Sequence, residues 1–271
     1  STHIAGRLAS STSLEFKRVT DEASPVTMSI DWYVVDYTCG VTVQRGTTAM
    51  STATTDQTIS AVASTSQAFV TWSKEPIATD QQYGDNDPLV ATLTSTTNLE
   101  FRSDNINPTS VHTIWWQVIE FTDPTLINVQ RGTTSLTAAA ASTTATLGTA
   151  VNIARSFVLV DYRFTGDGTD IGSGMVRGRL TSSTQVTLDR SATNYDVTEI
   201  SWQVVELKDG SKVQSGSASF ATGASTATAT LTAVNTSNAT AFANGSAGGG
   251  QAAGRTSYVG DDAVGTAEAT F

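Results

Sequence analysis

Three loops gather carboxylates closely enough in sequence to hold a cation. They are Asp80 with Gly84-Asp85-Asn86-Asp87, Gly166-Asp167-Gly168-Thr169-Asp170, and Gly260-Asp261-Asp262. Oxygen ligands clustered in a pliable loop suit Ca²⁺. The candidate ligands are Asp85, Asp87, Asp167, Asp170, Asp261 and Asp262, although Asp and Gly are also ordinary turn formers. None of the loops has the full EF-hand spacing. Little else points to chemistry. There are only two histidines. His3 is near the terminus, and His112 shares the register of Ile114 and Trp116, which reads as a packed side chain. No Gly-x-Ser-x-Gly elbow, phosphate loop or dinucleotide fingerprint occurs. Most acids stand singly, so no carboxylate pair suited to glycoside hydrolysis can be picked out. The chain is not expected to be an enzyme, and calcium is the one cofactor its residues suggest.

The composition narrows the partners. The 271 residues carry a net charge of −10, the wrong sign for neutralising phosphates. Nucleic acid is therefore excluded as a partner. Cys39 is the single cysteine, so no intrachain disulfide framework or Cys-rich zinc site is expected. No apolar run approaches the ~20 residues of a membrane-spanning helix. The chain opens on Ser1-Thr-His-Ile rather than Met, which suggests a processed form or a piece of something longer.

The elements that position these residues repeat. Ile30-Asp-Trp-Tyr-Val-Val-Asp-Tyr37 recurs as Ile114-Trp-Trp-Gln-Val-Ile-Glu-Phe121 and as Ile200-Ser-Trp-Gln-Val-Val-Glu-Leu207. Val43-Gln-Arg-Gly-Thr-Thr48 recurs as Val129-Gln-Arg-Gly-Thr-Thr134 and Val213-Gln-Ser-Gly-Ser-Ala218. Leu8–Leu14, Leu93–Leu99 and Leu180–Val186 form a third set. A fourth is Ala61-Val62 before Phe69, Ala150-Val151 before Phe157, and Ala233-Val234 before Phe242. Four markers in one order, with a period near 86, indicate an internal repeat. All read as strands, because apolar and polar residues alternate and Val, Ile, Thr and aromatics dominate. Trp32, Trp116 and Trp202, with Val34, Val118 and Val204, share one face and are the expected core. The opposite face is apolar towards its end, which suggests cover by a neighbouring domain or subunit.

The expected fold is all-β: three tandem Ig-like β-sandwich units of about 86 residues, the terminal unit split between the N- and C-terminal segments. A jelly roll or a lectin-type sandwich is the alternative. Taking Phe69 and Phe157 as first strands frames the chain as follows. Residues 1–65 form an incomplete unit lacking its first strand, 66–153 and 154–235 form whole units, and 236–271 form a Gly/Ala/Ser-rich segment with donor strands. A sandwich short of a strand exposes unpaired backbone and an open core. A strand from another chain can fill such a groove. Ala241, Phe242, Ala243 and Phe271 are the expected donors, and Leu8 and Trp32 line the expected groove. A head-to-tail contact of this kind builds a filament unless it closes into a ring. Closure of the two ends within one chain, or excision from a longer repeat protein, would also explain the split. The 266–271 segment aligns with Ile4–Leu8 and would compete with it.

Smaller signals are open to two readings. Arg45 and Arg131 precede a glycine and could bridge domains by pairing with carboxylates, or simply sit in structural turns; the third copy has Ser215. No lysine recurs at one repeated position, as an intramolecular Lys–Asn bond in every unit would need. Asn235, Asn238 and Asn244 open glycosylation-type triplets. The repeated Trp-Gln-Val-Val-Glu and Val-Gln-Arg-Gly segments resemble tandem Ig-like units of large prokaryotic or viral surface proteins. That resemblance is architectural, covers most of the chain and carries no active site. It implies a structural subunit of an extracellular filament or fibre at a cell or virion surface, with a second copy of the chain as partner. The alternative is a glycan-binding fibre or adhesin module, with Trp72, Tyr83, Trp115, Tyr162 and Tyr195 as its candidate aromatics.

Overall fold

The computed structural model describes residues 4–18, 30, 32, 34–37, 39–75, 87–106, 111–165, 171–219, 226–244 and 246. The chain is all-β and its sheets are antiparallel. An N-terminal hairpin joins β1 (Ile4–Ser10) to β2 (Ser13–Arg18). Six strands follow: β3 (Val41–Met50), β4 (Thr54–Thr58), β5 (Ala68–Lys74), β6 (Val90–Ser95), β7 (Asn98–Arg102) and β8 (His112–Phe121). Six more repeat the pattern: β9 (Ile127–Leu136), β10 (Ser142–Thr146), β11 (Ser156–Arg163), β12 (Arg177–Ser182), β13 (Gln185–Asp189) and β14 (Val197–Leu207).

Each set of six strands forms two three-stranded sheets. The orders are β3-β8-β5 and β4-β7-β6 in the first set, and β11-β14-β9 and β10-β13-β12 in the second. One apolar cluster joins the two sheets of each set, so each is a β-sandwich. Residues 41–121 form the first sandwich and 127–207 the second. This frame is offset from the expected one. β3 and β4 fall within the expected 1–65 unit, yet they hydrogen-bond to β8 and β7. β9 and β10 likewise pair forward, with β14 and β13. A unit therefore opens on the Val-Gln-Arg-Gly strand and closes on the tryptophan strand.

Alternation along β8 and β14 places Ile114, Trp116 and Val118, and Ile200, Trp202 and Val204, in the two cores. His112 is fully buried on β8. Each indole packs against a glycine of the neighbouring strand. Gly46 faces Trp116, and Gly132 faces Trp202. A Cβ on either glycine would collide with the indole. Gly132→Ala is expected to destabilise the subunit by about 1–3 kcal/mol through overpacking; urea denaturation measures this.

The first copy of the tryptophan strand differs. Trp32 is 59% exposed and Val34 is 50% exposed. Neither belongs to an assigned strand, so these two residues are not in a core within the single chain. Gly40 (φ 73°) and Gly210 (φ 97°) turn the chain after the first and third tryptophan segments, in a conformation only glycine adopts without steric cost.

Candidate functional site: two half-sandwiches

In the corrected frame, residues 4–37 carry the counterparts of β6, β7 and β8. Residues 213–246 carry the counterparts of β3, β4 and β5. Several local structures of the whole sandwiches persist in these halves. In the whole sandwiches, the Gln of Val-Gln-Arg-Gly ties its strand to the segment ahead of β5 or β11. Gln44 donates to Ser60 O at 2.8 Å, and Gln130 exchanges two bonds with Thr149 at 2.9 Å each. Gln214 exchanges the same two bonds with Thr232, at 2.9 and 2.8 Å. Asn235 then caps the Thr236–Asn238 3₁₀ turn, as Ser64 caps Thr65–Gln67 and Asn152 caps Ile153–Arg155. On the N-terminal side, the β1–β2 turn repeats the hairpin turn of both sandwiches. Ser10, Ser95 and Ser182 each accept from the N–H two residues on.

Among the described residues, the contacts that cross between the two halves in a whole unit are not formed. Gly216 occupies the position of Gly46 and Gly132, and nothing lies within 4 Å of where its Cβ would be. Glu120 accepts from Ala63 N at 2.5 Å and Glu206 from Asn152 N at 2.9 Å, closing the tryptophan strand onto the turn ahead of β5 or β11. In the halves the corresponding residues are Asp36 and Asn235. Ile59 and Val62 donate to Thr97 O and Thr96 O, and Leu147 and Val151 to Thr184 O and Ser183 O. Their counterparts Leu231 and Val234 are 60% and 47% exposed. The N-terminal hairpin rests on the first sandwich and the C-terminal segment on the second.

Three bonds of one kind seat each hairpin on the unit that follows. Gly6 N donates to Ser73 Oγ at 3.3 Å, Ala91 N to Asp161 Oδ2 at 3.2 Å, and Gly178 N to Asn244 Oδ1 at 3.0 Å. This fixes the register of the C-terminal segment: Asn244 matches Ser73 and Asp161, so Thr240 matches Phe69 and Phe157. Phe242 therefore lies two residues beyond the marker position and on the outward face. Its ring stacks on Phe157 at 4.6 Å, against the second sandwich rather than in a groove beside Trp32. In the same register Ala241 and Ala243 match Val70 and Trp72, but both are exposed. Leu8 is half-buried opposite Leu14, and Phe271 lies outside the described residues.

Arg131 does bridge the two sandwiches, but not through a carboxylate. Its guanidinium donates to Thr65 O and Ala68 O, each at 2.6 Å. Burial pushes its pKa down to about 10. The folded state thus holds this proton less tightly than the unfolded chain does. That penalty is constant below pH 10 and shrinks only above it, so Arg131 stays charged and contributes no pH dependence near neutrality. Beside it, Gln203 exchanges bonds with the N–H and carbonyl of Val70 at 3.0 and 3.1 Å. Phe69, Ile119, Val129 and Val205 form the apolar centre of this interface. The apolar end of the outward face is thus covered by a neighbouring unit.

Of the candidate calcium ligands, Asp87 pairs with the buried Lys74 at 3.2 Å. Asp85, Asp167, Asp170, Asp261 and Asp262 lie outside the described residues. Among the described residues, no three His, Cys, Asp or Glu side chains group to hold a metal ion. Asn235 and Asn244 use their side-chain oxygens for the cap and the hairpin seat, and Asn238 is exposed. Of the candidate aromatics, Trp115 is 3% exposed beneath the Arg7 guanidinium at 4.5 Å. Trp72, Tyr162 and Tyr195 pack against the cores, and Tyr83 lies outside the described residues. No helix of the described residues is long and apolar enough to cross a membrane.

The glutamine tie was not singled out from sequence. Its signal was there: Val, Gln and Gly, not Arg, are the residues that all three Val-Gln-x-Gly copies share. No protein-family model, curated protein or solved structure matches this chain.

Proposed function

We propose that the chain is a structural subunit of an extracellular filament or fibre. Subunits join head-to-tail by strand complementation, with the 213–246 half of one completing the 4–37 half of the next. The observation that carries this reading is the pair of unmatched surfaces: an exposed Trp32 and an open Gly216, where both whole sandwiches bury the tryptophan on the glycine. In the joined unit, residues 30–37 would lie between 213–218 and 239–246, as β8 lies between β3 and β5. Asp36 would accept from Asn235 N, and Leu231 N and Val234 N would reach Thr12 O and Ser11 O.

A sequence coincidence supports a single joint. In both whole sandwiches a direct cross-strand pair is Arg with Gln, as Arg45–Gln117 and Arg131–Gln203. In the halves the corresponding pair is Ser215 with Tyr33. Both members change together, one smaller and one larger, as volume compensation at a shared contact requires.

Negative-stain electron microscopy and sizing of the full chain, beside a truncation ending at Lys212, test the reading. Filaments from the full chain and monomers from the truncation are expected. Monomers from both would overturn it.

A further inference from the structure

The joint proposed above pairs strands; the packing between sandwiches points to a second contact across it, which rests on that reading. The second sandwich grips the Thr65–Gln67 turn and β5 of the first through Arg131, Gln203 and the apolar pair Ile127 and Val129, which are 2% and 4% exposed. The first sandwich presents the same face. Val41 and Val43 match Ile127 and Val129 but are only half-buried, and Arg45, the counterpart of Arg131, is exposed. The N-terminal hairpin takes its own share of this face through the Gly6–Ser73 bonds and Arg7 over Trp115. Within the chain, no described turn stands against Arg45 as Thr65–Gln67 stands against Arg131. A turn of that form exists elsewhere: Thr236–Asn238, capped by Asn235.

We infer that this face of the first sandwich is a docking surface for the Thr236–Ala239 segment of a second copy of the chain. The Arg45 guanidinium donates to the carbonyl oxygens of Thr236 and Ala239, as Arg131 does to those of Thr65 and Ala68. Charge-assisted bonds from a planar guanidinium to two carbonyls fix orientation as well as adding affinity. The surface continues an interface already formed between sandwiches. Each joint would thus be held by strand insertion and by a clamp on the turn that leads into the inserted region. The clamp would set the angle between successive subunits, because Arg131 sits at the matching boundary inside each one.

Assembly of the full chain, followed by light scattering and sedimentation, tests this with three variants. Arg45→Ala is expected to leave the monomer's melting temperature unchanged and to raise the critical concentration about tenfold. Arg45→Lys, which keeps the charge but loses the fork, is expected to recover only part of that loss. Gly216→Val is expected to abolish assembly by blocking the Trp32 seat. If Gly216→Val stops assembly while Arg45→Ala assembles at the parent's concentration, the docking surface is wrong and the strand joint stands. If Gly216→Val assembles normally, or the parent chain never assembles, the strand joint falls and this inference with it.

Discussion

Trp202→Ala is expected to cost the isolated subunit about 3–5 kcal/mol, and Trp32→Ala almost nothing. The first deletes a 6%-exposed indole from a closed core, leaving a cavity that the surrounding sheets cannot fill. A loss of that size is a large fraction of the ~5–15 kcal/mol that holds a typical domain folded. The second deletes an exposed indole with no core around it, where substitutions stay within about 0.5 kcal/mol. Under assembly conditions the ranking reverses. Trp32→Ala is expected to fold but to form no filaments, because the residue that would cover Gly216 of the preceding subunit is gone. Chemical denaturation of the monomer and electron microscopy of the same preparations measure both halves of the prediction. Normal filaments from Trp32→Ala would remove the basis of the joint.

Glu199→Ala is expected to uncouple the two sandwiches. Arg102 donates to Glu199 through Nε at 2.9 Å, and Arg163 donates to the same carboxylate at 3.0 Å. Arg163 also reaches Asp104 at 3.0 Å, and Thr198 donates to Asp104 as well. Arg102 and Asp104 belong to the first sandwich, Arg163, Thr198 and Glu199 to the second. Removing Glu199 leaves Arg102 with Glu100 and Arg163 with Asp104, and takes away the one carboxylate that both guanidinium groups share. Taking one member from a partly buried ionic cluster costs about 3 kcal/mol. Calorimetry should then resolve two melting transitions where the parent shows one. Glu199→Gln, which keeps two hydrogen-bonding atoms, should fall between them. One unchanged transition in Glu199→Ala would mean that the apolar centre around Phe69 and Val205 suffices to couple the sandwiches.

The strands and the core face were legible because alternation is local. Ile, Trp and Val at every second position leave one way to bury the tryptophan. The unit boundary was not legible, for a geometric reason. A tandem repeat has the same period wherever it is cut, and only long-range pairing says which strand opens a unit. β3 meets β8 across some seventy residues, as Val43 with Ile119, and nothing local announces that choice. Phe242 misled for a related reason. A shift of two residues keeps a side chain on the same face, so Phe242 mimicked Phe69 and Phe157, while the Asn235 cap and the Asn244 seat put Thr240 in their place. Bridging was one of two readings of Arg131 beside a structural turn, and its partners are backbone carbonyls, which no side-chain pattern reveals. Of the aromatic candidates for sugar binding, Trp72, Tyr162 and Tyr195 pack on the core of their own sandwich, and Trp115 lies beneath Arg7 of the N-terminal hairpin.

β8 and β14 are the middle strands of their sheets, with a partner on each side. The same placement at the proposed joint would have a kinetic meaning. A strand added at an edge can peel away by breaking one ladder. A central strand must break two at once, and must also withdraw its indole from a closed core before any other contact re-forms. Subunit release would then be governed by an unfolding barrier rather than by a binding equilibrium. A polymer built this way should keep its length on dilution, grow only at its free ends, and come apart only under conditions that unfold the whole sandwiches as well.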